Sequence, residues 1–493
     1  IDDNAEVSCC AIDVIIEIAN ALPDAEVEGS ICQIVNLYSH DDRDEECRVT
    51  AIRIYCLLSS RFNEYSLNQV VSELTNHAED MSSYVRSTVA RNISKVMAAL
   101  GPTNAYSRMY PVFQMLSRDE MPEVRAACAE SFIEVARAID SEAHWDEICT
   151  EASRLYDDEE MVQQSMLKVT GEYISLLPAE YLSTELLRRY ATVPAMDIPN
   201  LSESCAHSFL GVLKSVGVKR WDELSLCFTM LIQHSEASTR KIMAENLPSV
   251  SLLFDADNAL MNFLPVFQYL LETEDVVKIE MATRAADLLK SFPVSSREEC
   301  VIVLSEKLKG TQNWRVRKAV GEGLSKLLEF CGAVFIKNII VNIALTMMGD
   351  SVSAVRRTGS ALIASCIEYF KKVEYEIDYI IDQICCFAES RHYAQRLLFV
   401  VAAEQIYEVS PSIIPDYLTA KLVQLSEDNV ANVRVRVAMF LRKITGEENT
   451  LFMPSLEKLA RDSDEEVRWQ AKPESSTPAA TVRDQVEENR NGS

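Results

Sequence analysis

The chain has 493 residues, 48% of them hydrophobic, and its 48 Lys and Arg against 75 Asp and Glu leave a formal charge of −27 at pH 7. A surface that acidic excludes nucleic acid and anionic membrane as principal partners, because binding phosphate needs a concentrated cationic face. Glycine (13) and proline (15) are scarce, which suits helices and speaks against a turn-rich β architecture.

In chain order, a weak phase mark at Val7 is followed by Asp42…Cys47-Arg48, Asp80…Val85-Arg86 and Asp119…Val124-Arg125. Half-copies come next: Asp157…Val162-Gln163, echoes at Leu201 and Thr239-Arg240, Glu272…Val277-Lys278 and Thr311…Val316-Arg317. The pattern returns in full at Asp350…Val355-Arg356, lapses to Ser390…Gln395-Arg396, and ends with Asp428…Val433-Arg434 and Asp462…Val467-Arg468. The thirteen marks are spaced by 38 to 40 residues until the last step of 34. A fixed period over almost the whole length predicts an all-α solenoid of about 13 two-helix repeats, in which each unit contacts only its neighbours.

Each period reads as two helices. The second starts at the mark: after Val124, the residues Ala127, Cys128, Phe132, Val135, Ala136 and Ile139 trace one helical face. The first precedes it, as in Tyr110-Pro111-Val112-Phe113, Leu264-Pro265-Val266-Phe267 and Met453-Pro454-Ser455-Leu456, with a proline 12 or 13 residues before the mark. Such a proline belongs near a helix start or at a kink. Helices this short are marginal alone, so stacking must stabilise them.

The recurring Asp lies in the turn before the second helix, where a carboxylate accepts backbone N–H groups and meets the positive end of the helix dipole. Arg six residues later is a cation in a first turn, which calls for a partner. A row of Arg facing a row of Asp on the adjoining repeat supplies one, with bidentate geometry. Asp42, Arg48, Asp80, Arg86, Asp119, Arg125, Asp350, Arg356, Asp428, Arg434, Asp462 and Arg468 are therefore read as a structural ladder and not as a catalytic site.

Fourteen cysteines form no Cys-x-x-Cys and sit largely on apolar faces, the usage of a small buried hydrophobe in a reducing compartment. The expected location is the cytoplasm, with the nucleus as a second compartment. No apolar run has membrane-spanning length and no signal peptide is visible; the absent initiator Met suggests a missing N-terminal part. Residues 472–493 are polar and rich in Ser, Pro, Glu and Asn, and are expected to form a disordered tail. No phosphate-cradling Gly loop, His-Glu-x-x-His, Gly-x-Ser-x-Gly or Cys/His ligand cluster occurs. The expectation is a protein that is not an enzyme and needs no cofactor or metal.

Thirteen two-helix units with Asp…Val-Arg at this period are identified as HEAT repeats. The chain resembles the scaffold (A) subunit of protein phosphatase 2A and, in its final repeats, the related regulatory subunit of protein phosphatase 4. The likeness is carried mainly by Asn313-Trp314-Arg315-Val316-Arg317, Asp350-Ser351-Val352-Ser353-Ala354-Val355-Arg356, His392-Tyr393-Ala394-Gln395-Arg396 and Asp428-Asn429-Val430-Ala431-Asn432-Val433-Arg434. The resemblance implies that repeats 311–471 hold a Ser/Thr phosphatase catalytic subunit, that repeats 1–310 recruit a regulatory (B-type) or targeting subunit, and that the whole is a hetero-oligomer. The implied contacts are Trp314, Arg315, Val352, Ser353, Tyr393, Arg396, Val430, Asn432 and Trp469. Trp, Tyr and Arg in exposed turns are the residue types that dominate interface energetics. Ser353 stands where the family usually has Tyr, and Trp469 replaces a smaller aromatic. The alternative is an importin-type or chromosome-associated HEAT adaptor, which acidity suits equally well.

Overall fold

The computed structural model describes residues 5–31, 35–36, 39, 44–139, 141–196, 198, 200–444 and 449–472. Regular structure among them is helical throughout, with no strand. The ladder residue Asp42 and the expected tail beyond Lys472 lie outside the described residues.

The sequence period translates directly into helix starts. Every phase mark except Leu201 is the third residue of a helix, as Val85 is in Ser83–Leu100, Val124 in Pro122–Ala138, Val316 in Trp314–Leu327 and Val467 in Glu465–Ala471. Leu201 opens Leu201–Val216. The reason is local. Asp80, Asp119, Asp350, Asp428 and Asp462 each accept, through Oδ1, the backbone N–H two residues on, at 2.8 to 2.9 Å. That turn starts a helix one residue later, and the third helical residue then faces inward. Val85, Val124, Val277, Val316, Val355, Val433 and Val467 are all fully buried. Each such valine contributes about 1.5–3 kcal/mol by leaving water.

Two compact units divide the chain, Ile1–Asn246 and Leu247–Ser493, the boundary falling inside helix Ala237–Ser251. In the first unit the second helices of successive repeats, Glu45–Leu58, Ser83–Leu100, Pro122–Ala138, Glu160–Leu176 and Leu201–Val216, pack side by side in chain order. The second unit does the same with Asp275–Leu289, Trp314–Leu327, Ser353–Lys372, Tyr393–Val409, Ala431–Lys443 and Glu465–Ala471. Glycine permits two close helix approaches, one between second helices and one between a second helix and the first helix Val341–Met348. A Cβ on Gly323 would stand 2.4 Å from the Ala282 carbonyl oxygen, and one on Gly359 would stand 2.8 Å from that of Ala344.

The first helices are less regular. Wide π-type turns, Val27–Ile31, Ala105–Met109, Ile336–Ile340 and Ile414–Leu418, interrupt four of them. Pro111 falls in the first turn after one of these, and Pro415 in the first turn of another. Pro265 and Pro454 lie inside Ala256–Leu270 and Asn449–Leu459. Proline removes an N–H and crowds the preceding turn, which a widened turn relieves.

Candidate functional site

The turns that open the second helices carry both the ladder and the residues expected at a partner surface. In the first unit Arg86 donates from Nε and Nη2 to Asp119 at 2.7 and 2.9 Å. Arg48 does the same to Asp80 at 2.8 and 3.1 Å, and Arg125 to Asp158 at 2.8 Å from each nitrogen. In the second unit the rungs are Arg317 to Asp350 (2.7 and 3.0 Å), Arg396 to Asp428 (2.5 and 2.8 Å) and Arg434 to Asp462 (2.7 and 2.8 Å). The third nitrogen, Nη1, reaches back to the carbonyl six residues earlier: Arg86 to Asp80 at 2.8 Å, Arg434 to Asp428 at 2.7 Å, Arg468 to Asp462 at 2.7 Å. One guanidinium thus closes its own turn and fastens the next repeat.

The electrostatics follow from this geometry. Burial alone would push Asp119, Asp158, Asp350 and Asp428 upward, but the Arg fork and the backbone N–H outweigh it and hold these carboxyls below the usual value of 3.8. At Asp462 the bond to Arg434 is the largest influence, with the same outcome.

Arg396, expected at the partner surface, is engaged inside the solenoid, its side chain 11% exposed against Asp428 at 5%. Arg356 and Arg468 make only the carbonyl contacts of a rung among the described residues.

The other expected contact residues lie at or near the starts of the second helices in the second unit. Trp314, Ser353 and Tyr393 are each the first residue of a helix, and Val352 and Val430 are the extended residues just before one. Asn313 caps its helix by accepting from Arg315 N–H at 2.9 Å, and its amide donates to Asp275 of the preceding repeat at 2.8 Å. The Arg315 guanidinium lies 4.7 Å from the centre of the Trp314 ring, a stacked cation–aromatic pair on a half-buried Trp. Tyr393 is 49% exposed and Trp469 45%. Trp469 sits one helical turn beyond the first residue of Glu465–Ala471, on the same face. Ser353 and Asn432 are exposed, and Val352 and Val430 half-buried.

Sequence reasoning missed a buried carboxylate in this unit. Glu404, on Tyr393–Val409, accepts from Arg436 and Lys443 of the next helix, Ala431–Lys443. No repeating signal marks it, since it departs from the Asp…Val-Arg pattern. Among the described residues no group of three or more His, Cys, Asp or Glu is placed to hold a metal. No helix among them is long and apolar enough to cross a membrane.

Paired helices stacked through an Arg–Asp ladder, with aromatic and cationic residues at their exposed corners, define a HEAT-repeat α-solenoid. No family model matches the chain. Its sequence relatives are HEAT-type regulatory subunits of protein phosphatase 4. Human serine/threonine-protein phosphatase 4 regulatory subunit 1 is 25% identical over 289 residues, covering 57% of this chain and 30% of that protein. Human serine/threonine-protein phosphatase 4 regulatory subunit 4 is 20% identical over 495 residues, covering 91% of this chain and 56% of that protein. The chain therefore spans less than two thirds of the length of either relative. Among solved structures, Kap121p bound to Pho4p superposes with a TM-score of 0.61 at 14% identity, over 90% of this chain and 49% of that one. Kap95p with RanGDP gives 0.56 at 13%, over 94% and 63%. At that identity the karyopherins share the fold alone.

Proposed function

We propose that this chain is a non-catalytic scaffold that holds a Ser/Thr phosphatase catalytic subunit of the phosphatase 2A/4 type on the corners of repeats 311–471. The repeats of 1–310 recruit a regulatory or targeting subunit. The observation that carries the reading is the placement of Trp314 with Arg315, Tyr393 and Trp469: large, partly exposed anchors, Trp314 and Tyr393 opening the second helices of two alternate repeats and Trp469 one turn into the last, in a chain related to phosphatase regulatory subunits. Such residues dominate binding when they fill a partner's pockets. The mechanism is positional, since a scaffold holding enzyme and recruiter together raises the local concentration of substrate at an active site on another chain. The proposed setting is the cytoplasm and the nucleus, where thiols stay reduced.

The test is co-purification of the phosphatase 4 catalytic subunit with the Trp314→Ala/Tyr393→Ala double variant, its fold checked by circular dichroism. Capture is expected to drop at least tenfold or so, as loss of two anchors implies. Undiminished capture by the folded variant removes the assignment. The importin-type reading has the karyopherin fold likeness behind it, and a pull-down separates the two. A Ran-type GTPase among the captured chains, with no phosphatase, would favour it.

A further inference from the structure

The ladder is interrupted at Arg356. Its Nη1 makes the same backbone contacts as in a closed rung, to the carbonyls of Asp350 and Ser351 at 3.0 and 2.8 Å, so the guanidinium is held in rung geometry. The following repeat offers Ser390 at the step where Asp119, Asp428 and Asp462 stand in theirs. Ser390 performs only the local half of that role. Its carbonyl accepts from Arg396 Nη1 at 2.8 Å and its hydroxyl from His392 N–H at 3.2 Å, while the hydroxyl proton goes to Gln395. Nε and Nη2 of Arg356 are left with no acceptor among the described residues. Arg357 beside it is exposed, and its side chain likewise has no partner among them.

Both guanidiniums line a cavity of about 320 Å³ between Ser353–Lys372 and Tyr393–Val409. Leu397 and Val401 supply an apolar wall, and Ser353 and Tyr393 the polar rim. Arg436 also lines it but is already paired with Glu404. No carboxylate lines the cavity, which makes it a cationic site in a chain of net charge −27. A guanidinium whose fork is fixed in place, against an apolar wall that weakens competition from water, favours a planar carboxylate over a bulky or neutral group. The volume lies near the lower end of the roughly 300–1,000 Å³ typical of ligand pockets, enough for a side chain and its neighbour.

We infer that Arg356 and Arg357 receive an aspartate or glutamate side chain from the protein that docks on these corners. The partner supplies in trans the carboxylate that the ladder lacks at Ser390, and an adjacent apolar side chain covers Leu397 and Val401. This rests on the reading that the ridge holds a phosphatase catalytic subunit, and it adds the chemistry of one contact to that reading.

The experiment titrates the full chain with phosphatase 4 catalytic subunit that has been dephosphorylated beforehand, following affinity and the thermal midpoint of the scaffold. Arg357→Glu is expected to weaken binding about tenfold without moving the midpoint, the scale of a charge-assisted interfacial contact. Ser390→Asp places a carboxylate in the Arg356 fork in cis; it is expected to raise the midpoint and also weaken binding about tenfold by occupying the fork. Trp314→Ala, which does not line the cavity, is the control for the ridge. Binding that falls in Trp314→Ala but stays within about twofold of wild type in both pocket variants overturns this inference and leaves the ridge intact. A lowered midpoint in Ser390→Asp also overturns it, because the fork then does not accept a rung carboxylate. Binding that appears only before dephosphorylation replaces the carboxylate by a phosphate and overturns it as stated. No binding by wild type either before or after dephosphorylation removes both readings.

Discussion

Arg317 leaves its own repeat and takes both carboxylate oxygens of Asp350, at 2.7 and 3.0 Å, while its third nitrogen closes the turn it came from at Thr311 and Gln312. The side chains are 16% and 13% exposed, so solvent screens the pair only partly. Arg317→Ala and Asp350→Ala are each expected to cost about 2–3 kcal/mol, with a coupling of about 1–2 kcal/mol in the double-mutant cycle, read from urea unfolding. Additivity within about 0.3 kcal/mol would mean the two act through their local turns and not through each other.

Acid should loosen the stack. The carboxyls of Asp119, Asp158, Asp350, Asp428 and Asp462 are held below 3.8 in the folded chain. A folded value depressed below the unfolded one contributes stability above the unfolded value, and that contribution disappears as pH falls through the folded one. Helicity measured by circular dichroism should be level from neutral pH down to about pH 4 and decline below it. The Asp350→Asn variant should start less stable and show a shallower loss over the same window. A parent and variant with parallel acid transitions would contradict the assignment of Asp350 to that window.

Gly323 and Gly359 separate propensity from packing. On propensity alone Gly→Ala inside a helix stabilises by about 1 kcal/mol. Here the added Cβ of Gly323→Ala would meet the Ala282 carbonyl oxygen at 2.4 Å, so a net loss of about 1–3 kcal/mol is expected on thermal unfolding. A gain in stability would show that the helices Asp275–Leu289 and Trp314–Leu327 stand further apart.

The thiols offer a readout of burial without mutation. Burial pushes the Cys331 thiol up to about 12, with the Glu298 charge adding to it, and pushes Cys366 and Cys128 up as well. Cys386 is exposed. Labelling with a disulfide reagent at pH 8 should modify Cys386 rapidly and reach Cys128, Cys331 and Cys366 only on unfolding, as mass spectrometry of the peptides would show. Prompt labelling of Cys366 in the native chain would contradict the packing of Ser353–Lys372.

Much of this architecture is written in short strings. Within seven residues the Asp, the buried Val and the Arg specify a capped turn, an inward-facing third residue and a cation in need of a partner. That is why marks such as Val85, Val355 and Val467 coincide with the third residue of a helix. The exposed aromatics at Tyr393 and Trp469 were legible too, because their place relative to the mark sets the face they occupy.

What the strings leave open is who meets whom. Arg396 and Arg356 occupy identical steps of the pattern, yet Arg396 is clamped to Asp428, while Arg356, whose next repeat carries Ser390 at the acceptor step, bonds only to carbonyls among the described residues and lines a cavity. The Glu404 cluster, the π-type turns in the first helices and the half-burial of Trp314 under Arg315 belong to the same class. By itself the sequence determined the period, the helix starts and the capped turns, because each depends on neighbours a few residues away. Only the tertiary structure decided which rungs close, since each joins residues some 28 to 33 apart whose meeting depends on how one helix layer settles on the next.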